Sequence, residues 1–331
     1  MHDEPLLEVR NLTVNLLTAK SAVRPVDGVS YSVRQGECLA IVGESGSGKT
    51  VMNFAPLGLM PTGVTTMLSG SVKLEGRELI GLPEAEIQKL RGKSVGFIFQ
   101  DPMSALNPVR RIGRQIAEMA ELHLDVTPRA AEARALELVK LVGISDPVAR
   151  LRQYPHELSG GLRQRIVIAI ALAGEPKLLI ADEPTTALDV TVQAQILRLL
   201  KDVQRRLNMA MVLITHDMGV VAGAADNIVV MYAARAAECG PVDKVLVSPR
   251  HPYTQGLINA IPRREDPIGS EFRGLPGIPP TLGAPIKGCA LAPRCELAVP
   301  ACSNSRPPLV RSDDSAVLVA CPVVNQGKAA A

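Results

Sequence analysis

Apolar residues along this chain form two kinds of pattern, alternation and short continuous runs. The stretch LLEVRNLTVNL, from Leu6, alternates apolar and polar positions, which is typical of a half-buried strand. The runs ECLAIV, KLLIA and AMVLIT begin at Glu37, Lys177 and Ala210. Continuous apolar runs of this length predict strands that are buried on both faces of a parallel sheet.

Helical patterns lie between these runs. Thr127 and Pro128 have the residue types of an N-cap and a first helical position, and Gly143 stands just after AAEARALELVKLV. Asp189 is placed to cap the segment VTVQAQILRLLKDVQRRL, and Asn208 is placed to close it. Strands that alternate with helices predict an α/β fold with a mostly parallel sheet.

Two further divisions are visible along the chain. Residues from about 101 to 173 are mainly helical in pattern and predict an inserted helical subdomain. The composition changes near Pro249, and from there to Pro322 the chain is rich in Pro and Gly and carries four of its six cysteines. We therefore expect an α/β domain over residues 1–248 and a small extension over residues 249–331 with little regular structure.

Composition and charge exclude several classes of function. Aromatic residues make up 2% of the chain and Trp is absent, which argues against stacking on nucleic-acid bases. The net charge is +3 with no run of five basic residues, so we expect no nucleic-acid partner. MHDEPLLEVR has no signal-peptide core, and stretches such as IVIAIALAG are about half of the ~20 residues that span a bilayer. We expect a soluble, cytosolic chain that meets a membrane only through a partner.

The strongest chemical signal is GESGSGKT at residues 43–50, which matches GxxxxGK[ST] between a predicted strand and a predicted helix. Its glycines allow backbone N–H groups to surround phosphate oxygens. Lys49 is expected to reach the β- and γ-phosphates of ATP, and the Thr50 hydroxyl to bind Mg²⁺. The expected nucleotide-binding residues of this phosphate loop are Gly43, Glu44, Ser45, Gly46, Ser47, Gly48, Lys49 and Thr50.

A second signal is LLIADEP, where a buried strand ends in two acidic residues. The carboxylate of Asp182 is expected to hold Mg²⁺. Glu183, which follows it, is expected to polarise the attacking water as a general base. Two acidic residues that merely end a strand are the plainer alternative, which the phosphate loop disfavours.

The segment LSGGLRQR at residues 158–165 resembles the LSGGQ signature of ABC-type ATPases. Ser159, Gly160 and Gly161 would form a second helix N-terminus that binds an anion. In the ABC family two subunits pack head to tail, and each signature covers ATP held by the phosphate loop of the other. The resemblance therefore implies a dimeric ATP site.

Other motifs of the same family follow over roughly residues 6–262. FQDP supplies Gln100, TALD supplies Asp189, and ITHD supplies His216. The resemblance assigns Gln100 to Mg²⁺ or water and to movement with a transmembrane partner. It assigns Asp189 to the dimer interface and His216 to the γ-phosphate.

The chain departs from the family pattern in two places. Leu162 stands where the signature usually has Gln, and we expect nucleotide binding to survive this change. Leu16, Ala22 and Val23 occupy the region where an aromatic residue usually stacks on adenine. Such stacking contributes ~1–3 kcal/mol, so we expect weaker base affinity or apolar contact alone.

Four cysteines near the end of the chain form a candidate ligand set: Cys289, Cys295, Cys302 and Cys321. Four thiolates can hold Zn²⁺ or a [4Fe–4S] cluster, but the spacing C-x5-C-x6-C-x18-C lacks the CxxC typical of structural zinc. Free thiols are the third alternative. Arg294 is available to balance the charge of a cluster. Cys38 and Cys239 are expected to be buried thiols.

The segments RHPYTQGLINAIP, LPGIPP and GCALAPRC resemble the C-terminal extension of ATPases that serve dipeptide and oligopeptide importers, a region that nickel importers share. The resemblance implies two transmembrane permease subunits, a second related ATPase in a heterodimer, and an extracytoplasmic peptide-binding protein. It also places the chain at the cytoplasmic face of the membrane.

Three other functions are weighed against peptide import. A nickel or other small-solute importer would use the same ATPase. A soluble ABC-type ATPase that acts on ribosomes or DNA usually has two nucleotide domains or a long coiled-coil insertion, and neither pattern is present. A redox-sensing regulator would make the cysteine-rich extension the main functional part.

Overall fold

The structure is a computed structural model that describes residues 4–18, 21–186, 188–261, 274–283, 286–314 and 316–325. Ala187 of TALD and Pro262 of RHPYTQGLINAIP lie outside the described residues. The chain divides into two compact units. The first unit consists of Met1–Leu6, Val33–Cys38 and Gly81–Ile214. The second unit consists of Leu7–Ser32, Leu39–Ile80 and Thr215–Ala331.

Strands occur in both units. In chain order the described strands are Leu7–Leu17 (β1), Ala22–Val33 (β2), Cys38–Val42 (β3), Thr65–Leu74 (β4), Arg77–Glu78 (β5), Val95–Ile98 (β6), Leu178–Asp182 (β7), Ala210–Thr215 (β8), Asn227–Tyr232 (β9), Arg235–Pro241 (β10), Val310–Arg311 (β11) and Leu318–Val319 (β12).

Helices likewise occur in both units. The described α-helices are Lys49–Phe54 (α1), Glu84–Leu90 (α2), Pro102–Ala105 (α3), Ile112–Leu124 (α4), Pro128–Leu141 (α5), Pro147–Arg152 (α6), Gly160–Leu172 (α7), Val190–Arg206 (α8), Met218–Ala224 (α9), Val242–Val247 (α10) and Pro252–Asn259 (α11). Within the described ranges, no helix is both long and apolar enough to cross a membrane.

In the first unit, β6, β7 and β8 form a parallel array in the order β8-β7-β6. All five residues of β7 and all six of β8 are buried, as the two continuous apolar runs predict. Helix α5 packs against α4 and α7 through one buried face, formed by Ala131, Ala135, Leu138 and Val139. Their spacing puts these four side chains on one side of the helix.

Local sequence sets the helix boundaries that were predicted in this unit. The Thr127 hydroxyl accepts a hydrogen bond from the Ala130 N–H, and Asp189 caps α8 in the same way. Gly143 and Asn208 follow α5 and α8 with positive φ angles of 70° and 47°. All four predicted boundaries are confirmed, because capping depends only on residues within one helical turn.

The second unit contains an antiparallel sheet in the order β2-β1-β4-β5 and a mixed array in the order β11-β12-β10-β9-β3. Strand β3 pairs in parallel with β9, whereas β9, β10, β12 and β11 pair antiparallel. The predicted fold class is confirmed: an α/β protein with parallel core strands and an antiparallel N-terminal β-region. The extension has more regular structure than its sequence predicts, since β12 pairs with β10 and α11 lies near its start.

Candidate nucleotide-binding site

The phosphate loop joins the end of β3 to the start of α1 in the second unit. Gly48 has a φ of +100°, and a Cβ atom there would lie 1.9 Å from the carbonyl oxygen of Pro25. A Cβ atom at Gly43 would lie 2.1 Å from the Met231 carbonyl oxygen. Both positions therefore require glycine, because the loop passes directly against neighbouring backbone.

Lys49 is the first residue of α1 and is only 6% exposed. Its ammonium donates to the carbonyl oxygens of Gly43 and Glu44, at 2.7 and 2.9 Å. Both acceptors belong to the phosphate loop, so the positive charge lies within the curve of the loop. Thr50 follows on the exposed side of the same helix. A cation and a hydroxyl in these positions suit a triphosphate and its Mg²⁺.

Ser47 supplies an independent test of whether the loop fits a phosphate group. The residue is 4% exposed, and its Oγ is buried without a hydrogen-bond partner in the described structure. An unsatisfied buried hydroxyl costs about 1–3 kcal/mol. A phosphate oxygen is an acceptor that would satisfy it, so the loop fits the nucleotide that its sequence predicts.

The acidic pair lies in the first unit, at the end of β7. Asp182 is buried as the last residue of the strand. Glu183 has a φ of +45°, and its N–H donates to the Ile214 carbonyl at 2.9 Å. The Glu183 carboxylate accepts from Gln100 Nε2 at 3.0 Å and from the Thr186 hydroxyl at 2.9 Å. These two neutral donors orient the carboxylate without cancelling its charge, as a general base requires.

The signature segment, residues 158–165, begins α7 in the first unit. Ser159 is the N-cap, and its Oγ accepts from the Leu162 N–H at 3.4 Å. Ser159 and Gly160 are exposed. A Cβ atom at Gly161 would lie 2.8 Å from the Val192 side chain, so a larger residue would crowd α8. The helix N-terminus is therefore open to a ligand or a second chain.

His216 follows β8 and is exposed in the second unit. The next residue, Asp217, caps α9 and accepts from the Gly219 N–H at 2.8 Å. The structure thus brings Gln100 and Glu183 into contact within the first unit. Within the second unit it assembles the phosphate loop around Lys49.

Sequence reasoning missed two residues that touch the phosphate loop. Arg294 makes a bidentate ion pair with the Glu44 carboxylate, at 2.9 and 3.1 Å. The Tyr253 hydroxyl accepts a hydrogen bond from the Glu44 N–H at 2.8 Å. Both residues stand in the motifs HPYT and APRC, but their shared partner is 209 and 250 residues away. The expectation that Arg294 balances a cluster is wrong in this structure, because its guanidinium is taken up by Glu44.

None of the four cysteines of the extension forms a disulfide. The Cys289 N–H donates to the Cys302 carbonyl at 2.7 Å. Burial raises the pKa of Cys289, and the neighbouring Cys302 and Cys321 raise it further. Burial likewise raises the pKa of Cys295. Cys289 and Cys295 therefore favour their neutral thiol form, and both lie near Cys302 and Cys321. Among the residues that the structure describes, no group of three or more His, Cys, Asp or Glu could hold a metal ion.

The other two cysteines have the environment that the sequence predicts. Cys38 and Cys239 are both buried, in β3 and β10. Burial, with a smaller contribution from Glu238, raises the pKa of Cys239 to about 12. These thiols are packing residues.

A phosphate loop around a buried lysine, an acidic strand end and a second glycine-rich helix N-terminus define a P-loop nucleotide-binding domain. Residues 26–186 match the ABC transporter family. Residues 237–302 match the family described as the oligopeptide/dipeptide transporter, C-terminal region.

Individual proteins show the same likeness. The chain is 48% identical over 310 residues to the oligopeptide transport ATP-binding protein OppD of Bacillus subtilis, covering 94% of this chain and 87% of that protein. It is 46% identical to the dipeptide transport ATP-binding protein DppD of the same organism, covering 95% and 94%. The solved dimeric structure of the ATP-binding cassette MJ0796 bound to ADP and Pi matches 71% of this chain and 98% of that chain, with 26% identity and a TM-score of 0.63. This chain belongs to the ABC transporter family, and it is an ATPase that uses ATP with Mg²⁺.

Proposed function

We propose that this chain is the ATP-hydrolysing subunit of an importer of dipeptides or oligopeptides. The observation that carries the proposal is the pairing of a full set of nucleotide motifs with an oligopeptide-transporter C-terminal region at residues 237–302. The named roles of the relatives in oligopeptide and dipeptide transport support it. The domain organisation proposed with it is an ATPase domain over residues 1–248, with a helical subdomain near 101–173, and an extension over 249–331.

In this proposal the phosphate loop binds the triphosphate. Lys49 moves its ammonium from the loop carbonyls to the β- and γ-phosphates, and the Ser47 hydroxyl gains the acceptor that it lacks. Thr50 and Asp182 would hold Mg²⁺, which would offset the negative charge of the phosphates.

The hydrolytic step is assigned to residues of the first unit and to His216. A water molecule attacks the γ-phosphorus while Glu183 takes its proton, and the bond from that phosphorus to the β,γ-bridging oxygen breaks to release ADP. Gln100 orients Glu183 and the water. His216 contacts the γ-phosphate. Each residue thereby favours the charge distribution of the transition state.

The exposed signature requires a second chain. Ser159 and Gly160 present a helix N-terminus to the exterior, which suits the phosphates of ATP held by a partner subunit. We propose a heterodimer with a related ATPase, with Asp189 at the interface. Two transmembrane permeases and an extracytoplasmic peptide-binding protein complete the assembly, at the cytoplasmic face of the membrane. ATP binding closes the ATPase pair, and hydrolysis opens it.

Three alternatives stay open for the four-cysteine set: a [4Fe–4S] cluster, Zn²⁺ or free thiols. The supporting feature is that Cys289, Cys295, Cys302 and Cys321 influence one another electrostatically. The raised pKa values of Cys289 and Cys295, and the absence of a metal-holding group among the described residues, do not fit a bound cluster. No step of the reaction is therefore assigned to it. Iron, sulfide and zinc assays on anaerobically purified protein distinguish the three alternatives.

Uptake by the reconstituted transporter tests the main proposal. Vesicles that contain the complex and its binding protein should accumulate labelled dipeptide or oligopeptide only with ATP, and the Glu183→Gln complex should not. Uptake of Ni²⁺ instead of peptide would favour the nickel importer. ATPase activity with no solute uptake, stimulated by ribosomes or DNA, would refute transport.

A further inference from the structure

Side chains from two separate parts of the C-terminal extension contact one residue of the phosphate loop, Glu44. Arg294 reaches the Glu44 side chain through NH1 and NH2, at 2.9 and 3.1 Å. Tyr253 reaches the Glu44 main chain, because its hydroxyl accepts the N–H at 2.8 Å. Glu44 is thus held at its carboxylate by Arg294 of APRC and at its backbone by Tyr253 of HPYT.

Arg294 is also held in place by contacts other than its ion pair with Glu44. The residue is 7% exposed, and its Nε donates to the Pro276 carbonyl at 2.7 Å. Its NH1 also donates to the Tyr232 hydroxyl at 3.2 Å. The Glu44 carboxylate raises the pKa of Arg294, so the guanidinium stays charged. A planar guanidinium that is held in this way fixes both the position and the direction of its partner.

Tyr253 is equally constrained. It is fully buried, and its ring lies 4.5 Å from the ring of Tyr232. Its N–H donates to Nδ1 of His251 at 3.1 Å, and the His251 N–H donates to the buried Glu238 carboxylate at 3.0 Å. The HPYT turn is therefore anchored on β10, and it delivers a rigid hydroxyl to the loop.

Glu44 passes these constraints to the residues that face the nucleotide. Its carbonyl oxygen accepts from the Lys49 ammonium at 2.9 Å and from the Ser47 N–H at 3.2 Å. Without Arg294, the Glu44 carboxylate would also be an unbalanced negative charge in a loop that must receive a triphosphate. Two negative charges that lie close together repel each other most strongly where solvent is excluded.

We propose that Arg294 and Tyr253 are positioning residues for ATP, which shape the phosphate loop and neutralise it through Glu44. The extension thereby sets the nucleotide affinity of the chain. This inference rests on the proposed role of the phosphate loop in binding ATP, and it adds a function to a region that the hydrolytic step does not use.

The test is the affinity of the full-length chain for a fluorescent ATP analogue with Mg²⁺. Arg294→Gln should weaken binding roughly tenfold, and Arg294→Lys should weaken it less. Tyr253→Phe, which removes the acceptor of the Glu44 N–H, should weaken binding by a few-fold. Arg294→Gln should change affinity less than about twofold when Glu44 is already Gln, because the charge that Arg294 balances is then gone.

Arg306 provides the matched control. Like Arg294, it donates from Nε to a carbonyl of the extension and from NH1 to a carboxylate of the N-terminal part, here Ile286 and Asp27. Arg306→Gln should bind the analogue as the wild type does. Its unfolding midpoint measures how much stability is lost when the bonds of Arg306 to Ile286 and Asp27 are removed.

The inference would be overturned if Arg294→Gln weakened binding of the analogue equally in the wild-type and the Glu44→Gln chain. It would also be overturned if Arg294→Gln weakened binding no more than Arg306→Gln does. If Arg294→Gln does not fold, Tyr253→Phe and the Glu44→Gln background decide the matter. Lys49→Met must weaken binding by at least about tenfold in the same assay. If it does not, the proposed ATP site fails, whereas a Lys49 effect without an Arg294 effect refutes the positioning role alone.

Discussion

Gln100 donates a hydrogen bond from Nε2 to the Glu183 carboxylate at 3.0 Å, across the ends of two adjacent parallel strands. The amide carries no charge, so it orients the carboxylate without neutralising it. Parallel strands end at one edge of a sheet, which is where open α/β sheets bind ligands. This contact gives Gln100 a direct link to the residue assigned as general base.

The first prediction concerns that base. Glu183→Gln keeps the size and the hydrogen-bonding capacity of the side chain but cannot take a proton. ATP turnover by the assembled complex should fall at least about 100-fold while Mg·ATP still binds. Phosphate release and nucleotide binding are measured in parallel. Glu121→Gln, at a partly buried carboxylate of α4 that pairs with Arg114, should turn over normally. Turnover that persists in Glu183→Gln would contradict the assignment.

The second prediction concerns the buried ammonium of the phosphate loop. Lys49→Met retains most of the side-chain volume and removes the charge, so the loop should keep its fold and lose affinity for Mg·ATP. We expect a loss of at least about tenfold, since a close charge–phosphate contact is strongly favourable. Isothermal titration with ATP measures it. Lys89→Met, at an exposed lysine of α2, serves as the control.

The third prediction separates the structural and functional roles of Ser159. Asn and Asp cap helices as well as Ser does, so neither replacement should lower the unfolding midpoint appreciably. Asp adds a negative charge where the phosphates of a partner-held ATP are expected. Ser159→Asp should therefore block ATP-dependent dimerisation and turnover, while Ser159→Asn retains much of both. Light scattering with ATP reports the dimer. Equal behaviour of the two variants would argue against a phosphate at this helix end.

The fourth prediction is a pH dependence of stability. Burial lowers the pKa of His251 from 6.5 to about 4. Between those values the unfolded chain binds a proton that the folded chain does not, so the free energy of unfolding should fall as the pH is lowered through this window. The full difference corresponds to at most about 3 kcal/mol. Glu238, which accepts the His251 N–H, acts in the opposite sense because burial raises its pKa.

Comparison with His251→Asn isolates the histidine from Glu238 and from the neighbouring Arg250. Asn is a good N-cap and can accept the Tyr253 N–H, but it does not titrate. The variant should be less stable at pH 7, since it loses the imidazole bond to the Ala320 backbone, and its stability should depend less on pH. Urea midpoints from pH 7 to pH 4.5 measure both effects. Parallel pH profiles would show that His251 is not the titrating group.

Much of the nucleotide site is readable from the sequence because its signals are local. The caps at Thr127 and Asp189 and the apolar run before Asp182 act within a few residues of themselves, and Gly48 has a φ of +100° in its own backbone. Steric limits on backbone angles and the burial of continuous apolar runs do not depend on distant partners. The sequence therefore predicts the loop, the helix ends and the parallel strands.

The C-terminal extension contains strands and contacts that local sequence patterns do not predict. β11 and β12 are two residues each, too short for a visible alternation, and they form because β10 offers an edge to pair with. The sequence likewise marks Tyr253 and Arg294 only as parts of motifs. Their common partner, Glu44, lies more than 200 residues earlier in the chain.

The amino-acid sequence alone determined that this protein has a phosphate loop, an acidic strand end and a signature helix, since each depends on neighbouring residues. Only the tertiary structure decided that the extension holds Glu44 of that loop and that Arg294 serves it rather than the cysteines. The packing of the chain decides which charged side chains meet when they are far apart in the sequence. A sequence pattern alone does not give the distance between such residues in the folded protein.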